Sequence, residues 1–69
     1  MYWWRAIFTN GKCERYIESI FAFYTVADAE TNAKEIDNSI GMEDYARSKG
    51  LDLTKWKLTG VFIVTTRDQ

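Results

Sequence analysis

Few residues in this 69-residue chain have side chains suited to catalysis or metal binding. There is no histidine, the side chain that most often acts as a general base near neutral pH. Cys13 is the only thiol, so the sequence offers neither an intramolecular disulfide nor a tetrahedral zinc site. Two carboxylate pairs, Glu43 with Asp44 and Glu35 with Asp37, occupy helical positions that do not face each other. We therefore predict a protein that is not an enzyme and holds no metal or cofactor.

The composition gives equally little sign of a nucleic-acid or membrane partner. Nine Lys and Arg balance ten Asp and Glu, and the net charge of −1 provides no attraction to polyanions. The longest apolar stretch, 20–27, is too short to span a bilayer, and the N-terminus lacks the pattern of a signal peptide. With 46% hydrophobic and 16% aromatic residues an ordered core is expected. We expect one domain, residues 1–69, located in the cytoplasm.

The clearest local signal is the Asn-Gly pair at positions 10 and 11, which lies between two aromatic and β-branched runs. Asn-Gly favours the type I′ turn of a two-residue β-hairpin. This predicts antiparallel strands over 2–9 and 12–24. In that register Phe8 faces Cys13, so the thiol is expected to be buried, and replacing it with serine is expected to lower stability.

Helical signals follow, and then a third strand. Asp28 is suited to be a helix N-cap, and Gly41 is expected to end that helix. A shorter helix is predicted over 42–49, with Gly50 after its end, and a strand rich in β-branched residues over 56–66. The apolar stripe of the first helix is formed by Ala29, Ala33, Ile36 and Ile40.

These elements predict an α+β domain with the order ββααβ. The helical segment returns the chain, so the third strand would lie antiparallel to the first. The simplest arrangement is a three-stranded antiparallel sheet in the order 2-1-3, with one or two helices packed on one face.

The sheet face away from the helices is the predicted contact surface. Strand alternation places Phe62 and Val64 with the core and leaves several large apolar residues on the outer side, where a half-solvated sheet is ordinarily polar. Such patches are typical of binding surfaces. One alternative is that the C-terminal tail or a bent second strand covers this side. Another is that the acidic face of the helices makes the contact, against a basic surface of the partner. The predicted partner-binding residues are Trp3, Arg5, Ile7, Tyr16, Val61 and Ile63.

In size and layout the chain resembles the small host-takeover and anti-defence proteins of bacteriophages, including anti-CRISPR proteins. The resemblance is carried by YWWRAIFTNGKCERYIESIFAFYTV, VADAETNAKEI and WKLTGVFIVTTRD. It implies a non-catalytic inhibitor or modulator that occupies a surface of a larger host defence complex in the host cytoplasm.

Two other functions remain open from the sequence. RNA-binding sheets stack bases on exposed aromatic residues, and Trp3, Arg5, Tyr16 and Lys57 could bind single-stranded nucleic acid in this way. Glu14 and Glu18 on the same face oppose that interpretation. The third possibility is a structural homodimer, which would also enlarge the small core.

Overall fold

A computed structural model describes residues 1–65 of the chain. The elements are β1 (Trp3–Thr9), β2 (Glu14–Glu18), α1 (Val26–Ser39), α2 (Met42–Ser48) and β3 (Lys57–Val64). The strands form one antiparallel sheet in the order β2-β1-β3. The predicted α+β fold, its ββααβ order and its sheet order are therefore confirmed. The last residue of the predicted third strand, Thr66, lies outside the described residues.

The core lies between the central strand β1 and the two helices. Three alternating residues of β1, Trp4, Ala6 and Phe8, are completely buried. The indole N–H of Trp4 donates a 2.8 Å hydrogen bond to Asn32 Oδ1, and its ring meets that of Tyr45 edge-on at 5.8 Å between centroids. The helices and the segment after them complete the core with Ala29, Ala33, Met42, Ala46 and Leu51.

The connection between β1 and β2 is longer than predicted. Asn10 Oδ1 accepts hydrogen bonds of 2.8 Å from the N–H groups of both Lys12 and Cys13, which closes a wider turn around the asparagine side chain. Phe8 consequently lies opposite Arg15 rather than Cys13. This shift of two residues leaves the faces of the strands unchanged, but it places Cys13 in the turn, where it is exposed. The predicted register and the predicted burial of Cys13 are wrong.

Because Cys13 is exposed, its replacement is no longer expected to lower the stability. Cys13→Ser is expected to change the free energy of unfolding by no more than about 0.5 kcal/mol, as is usual for surface substitutions. The thiol of the folded protein should react with a chromogenic disulfide reagent as fast as that of the urea-unfolded protein. A thiol protected until unfolding would contradict the exposed position.

The second strand ends earlier than predicted, because the chain bends after Glu18. The N–H of Ser19 still donates a hydrogen bond to Trp4 O at 3.0 Å. The buried Ser19 hydroxyl donates a second one to Phe21 O at 2.8 Å, within the bend. Two hydrogen bonds of 2.7 Å between Tyr2 and Phe23 then return the chain to the edge of β1. The segment after β2 therefore lies beside the sheet and does not fold over it.

The helix boundaries follow from local capping. The N-cap of α1 is Thr25, whose hydroxyl accepts a 3.1 Å hydrogen bond from the N–H of Asp28. The predicted cap, Asp28, instead lies in the first turn, where its negative charge favours the helix dipole. Both helices end as predicted: Gly41 follows the C-cap of α1, and Gly50, with φ +96°, follows that of α2. No helix within residues 1–65 is long and apolar enough to cross a membrane.

A short turn leads from α2 into β3. The carboxylate of Asp52 accepts hydrogen bonds from the hydroxyl and the N–H of Thr54, at 2.7 and 3.0 Å, and these bonds lower the pKa of Asp52. The Asp52 carbonyl accepts from the N–H of Trp56 at 3.1 Å. This turn places the Trp56 ring beside the core, where the Arg15 guanidinium lies 5.1 Å from its centroid.

A β-bulge in β3 determines which side chains of that strand lie on each face of the sheet. Ile7 of β1 pairs with Gly60, whereas its neighbour Phe8 pairs with Leu58, so Thr59 is an extra residue in β3. The Thr59 hydroxyl donates a 3.0 Å hydrogen bond to Ile7 O across the strands. A bulge of one residue reverses the alternation of the side chains that follow it.

Beyond the bulge, Val61 pairs with Ala6 and Ile63 with Trp4, two buried residues of the helix-covered side. Directly paired residues share a sheet face. Val61 and Ile63 therefore lie on the side of the helices, and the prediction that they belong to the outer side is wrong. Phe62 and Val64, predicted to be core residues, lie on the outer side instead.

Candidate functional site

The sheet side opposite the helices is the candidate functional site, and we call it the open face. Along β1 it alternates with the buried residues, so Trp3, Arg5 and Ile7 are half-buried while their neighbours are completely buried. Neither α1 nor α2 lies on this side. The predicted alternative of cover by the C-terminal tail concerns 66–69, which are outside the described residues. The open face consists of Trp3, Arg5, Ile7, Tyr16, Glu18, Phe62 and Val64, with Thr9, Glu14 and Lys57 at one end.

Arg5 lies at the centre of the open face and is held by two neighbours on β2. Its Nη2 atom lies 3.1 Å from Glu18 Oε2, with both side chains largely buried. Its guanidinium carbon lies 4.4 Å from the centroid of the Tyr16 ring, which is a cation–π contact. The strand pairing explains this geometry, because Glu18 is directly opposite Arg5, and Tyr16 is opposite the same-face neighbour Ile7. The charges of Arg5 and Glu18 therefore balance each other within the surface.

The third strand contributes an exposed aromatic residue. Phe62 lies directly opposite Arg5 and is 53% exposed. Its ring lies over Gly60, where an added Cβ would come within 2.9 Å of the ring's Cζ atom. Glycine at position 60 therefore lets the ring lie against the backbone, an arrangement that covers the gap left by the missing side chain.

Four of the six predicted site residues come together on the open face: Trp3, Arg5, Ile7 and Tyr16. Val61 and Ile63 do not, because the bulge at Thr59 moves them to the side of the helices. Sequence reasoning missed Phe62 and Val64 as members of this face. One signal could have found them, because a glycine inside a strand often marks a bulge.

A second group of exposed apolar residues lies in the loop after β2. Phe21 is 68% exposed and Tyr24 is 84% exposed, and Ile20 is also exposed. The bridge between Tyr2 and Phe23 holds this loop beside the start of β1. The sequence predicts all three in the second strand, over 12–24, whereas the structure places them in a loop.

Two of the carboxylates have structural roles in the described part of the chain. Asp44 pairs with Arg47 at 2.7 Å on the exposed side of α2. Asp37 accepts a 3.0 Å hydrogen bond from the N–H of Met42 and so caps that helix. Both carboxylates thus have structural partners. Within residues 1–65, no three His, Cys, Asp or Glu side chains are grouped closely enough to hold a metal ion.

The arrangement is suited to contact with another macromolecule: a broad apolar surface with aromatic rings around one balanced ion pair. No protein-family model, curated protein or solved structure matches the chain.

Proposed function

We propose that the chain is a small non-catalytic binding protein that inhibits or modulates a larger protein complex by occupying part of its surface. The open face is the observation that supports this proposal. It presents Phe62 and Tyr16, 53% and 41% exposed, beside the half-buried Trp3. Trp, Tyr and Arg contribute most of the binding energy in many protein interfaces, especially near the centre, where the surrounding contacts exclude water.

The electrostatics of the open face favour a protein partner over a nucleic acid. Binding to phosphates requires positive charge that a polyanion can reach. Arg5 instead lies 3.1 Å from Glu18, and the exposed Lys57 is offset by the exposed Glu14, since both lie opposite Thr9 at one end of the face. An internally balanced ion pair surrounded by apolar side chains is better suited to burial against another protein.

The proposed partner is a host defence complex, and the proposed location is the host cytoplasm. This part of the proposal comes from the resemblance in size and layout to bacteriophage anti-defence proteins, among them anti-CRISPR proteins. Such a protein needs no reaction centre, because blocking a surface is sufficient for inhibition. The purified complex should lose activity in proportion to the amount of chain added, reaching its minimum at one chain for each binding site.

The test is affinity capture from bacterial lysates, with each lysate divided into nuclease-treated and untreated halves. We expect one stoichiometric protein complex in both halves, displaced by an excess of untagged chain. Retention that disappears with nuclease would overturn the proposal in favour of single-stranded nucleic-acid binding. Recovery of the chain alone would overturn it in favour of a structural homodimer.

A further inference from the structure

The two edge strands of the sheet differ in how well they are protected from further pairing. Edge strands usually carry charges or irregularities that prevent contact with other strands. Three of the five residues of β2 are charged, namely Glu14, Arg15 and Glu18. In β3, residues 61–64 have the sequence Val-Phe-Ile-Val, with two apolar side chains on each face and no charge.

The outer edge of β3 is also open along its backbone. Because β3 is the last strand of the order β2-β1-β3, alternate N–H and C=O groups point away from β1. Within residues 1–65, the backbone hydrogen bonds of β3 are those of its ladder with β1. The bulge at Thr59 lies towards the start of the strand and leaves 61–64 regular. The edge is therefore a template for one more antiparallel strand.

A shallow apolar groove borders this edge on the side of the helices. Its floor is formed by Val61, Ile63 and Ala33, and its rim by Glu30 and Lys34 of α1. The small side chain of Ala33 leaves Val61 38% exposed. A strand added to β3 would cover these residues with its own side chains.

The order of charges along the groove comes from the direction of α1. Ala33, Lys34 and the acidic Asp37 line the adjoining part of the groove with Leu58, whereas Glu30 lines only the part that contains Ile63. The helix α1 therefore runs antiparallel to β3. Glu30 lies beside the end of β3, and Lys34 lies nearer its middle.

We propose that the chain forms a homodimer in which β3 pairs antiparallel with β3 of a second copy about a two-fold axis at Phe62. Phe62 then lies opposite Phe62 of the second copy, and Val61 lies opposite Ile63 of the second copy. The two sheets become one continuous sheet, and the two apolar grooves close over each other. A two-fold interface requires that one surface be complementary to itself.

Charge complementarity identifies a second copy as the occupant of the edge. The two-fold axis reverses the direction of α1, so Lys34 of one copy lies beside Glu30 of the other, and the reverse pair forms by symmetry. These two pairs lie on either side of the apolar centre formed by Val61 and Ile63. A second copy thus supplies both the apolar side chains and the charges that this edge requires.

The dimer proposal is tested independently of the proposed function, because the mass of the purified chain is measured without any partner. Stable interfaces bury about 1,200–2,000 Å² in total, and a contact of a few edge residues lies at the lower end. We therefore expect a reversible dimer. In sedimentation equilibrium of the full chain, the mass should rise from 8.1 kDa towards twice that value between low micromolar and millimolar concentration. A constant monomer mass over this range would overturn the proposal.

Charge reversal distinguishes this edge pairing from any other dimer. Glu30→Lys and Lys34→Glu should each raise the dimer dissociation constant about five- to tenfold, because each places like charges together twice. The double variant should return to within about twofold of the original constant, because it restores both pairs with reversed sign. A dimer that does not respond to the single variants, or that the double variant fails to restore, would overturn pairing through β3.

The matched control is Glu35→Lys, which makes the same change of charge on α1 away from the groove. Glu35 lies beside Tyr24 and Asp28, on the other side of the helix. This variant should leave the dissociation constant unchanged. If it weakened the dimer as much as Glu30→Lys, the effect would come from net charge and the proposed pairing would be wrong. Melting curves of all four variants at low concentration confirm that each is folded.

Discussion

Trp4→Ala is expected to unfold most of the protein at room temperature. Trp4 is completely buried on the central strand, its indole N–H donates to Asn32, and its ring packs against Tyr45. Removing a buried tryptophan side chain costs about 3–5 kcal/mol of stability. Natural domains have only about 0.05–0.15 kcal/mol per residue, so the loss is comparable with the total for a chain of this length. Near-ultraviolet circular dichroism and urea denaturation measure the effect.

The matched control for this substitution is the adjacent Trp3→Ala. Trp3 is a half-buried residue of the open face, so its removal should lower the free energy of unfolding by only about 1 kcal/mol. Trp4→Phe keeps an aromatic ring but removes the donor to Asn32, and it should cost about 1–3 kcal/mol. If Trp3→Ala and Trp4→Ala were equally destabilising, the open face would be part of the core.

The second large effect is expected on partner binding. Trp3→Ala and Tyr16→Ala should each weaken binding to the captured complex at least about thirtyfold, which corresponds to about 2 kcal/mol at an interface hot spot. Tyr16 has a further role, because its ring lies 4.4 Å from the Arg5 guanidinium and helps to orient it. Titration of the purified complex with labelled chain gives the dissociation constants.

Tyr24→Ala provides the control for Tyr16→Ala. Tyr24 is 84% exposed, but it lies in the loop after β2 and not on the open face. Its removal should leave the dissociation constant within about twofold, since most exposed contacts outside a hot spot contribute little. If Tyr24→Ala weakened binding while Trp3→Ala and Tyr16→Ala did not, the partner would contact the loop and not the sheet.

The same titration tests how the bulge assigns β3 to the two faces. Phe62→Ala should weaken binding, because Phe62 lies opposite Arg5 on the open face. Val61→Ala should not, because Val61 lies on the helix-covered side. These measurements use chain concentrations below those at which the dimer forms, so that loss of dimer does not contribute. If Val61→Ala weakened binding and Phe62→Ala did not, the partner would contact the surface predicted from the sequence, which includes Val61 and not Phe62.

Much of the architecture was determined by local sequence signals. The alternation of Trp3 and Trp4 along β1 identified which side of the strand would be buried, and the structure confirms it. Gly41 and Gly50 located the ends of both helices, because each signal acts within one turn of its own helix. Strand order also followed from sequence, because a short hairpin and a helical return leave few possible topologies.

The connection between β1 and β2 shows how an error of register can leave a face unchanged. The Asn-Gly pair predicted a turn, but the side chain of Asn10 bonds to two backbone N–H groups and lengthens it. The register moved by two residues, which is the side-chain period of a strand. Arg5 and Tyr16 consequently stayed on the predicted face. Cys13, by contrast, lies in the turn and outside the sheet.

The composition of the candidate site was decided by tertiary structure at one residue of β3. The extra residue Thr59 bonds to Ile7, and the Phe62 ring lies over Gly60. Gly60 is a local sign of a bulge, but the partner of Thr59 is 52 positions away in the sequence, so the extra residue is fixed only by the pairing with β1. One extra residue reverses the alternation of every later side chain in the strand, so the β3 residues on the open face are Phe62 and Val64. Thus the sequence by itself determined the elements and their order, whereas the pairing of distant strands determined which side chains the surface presents.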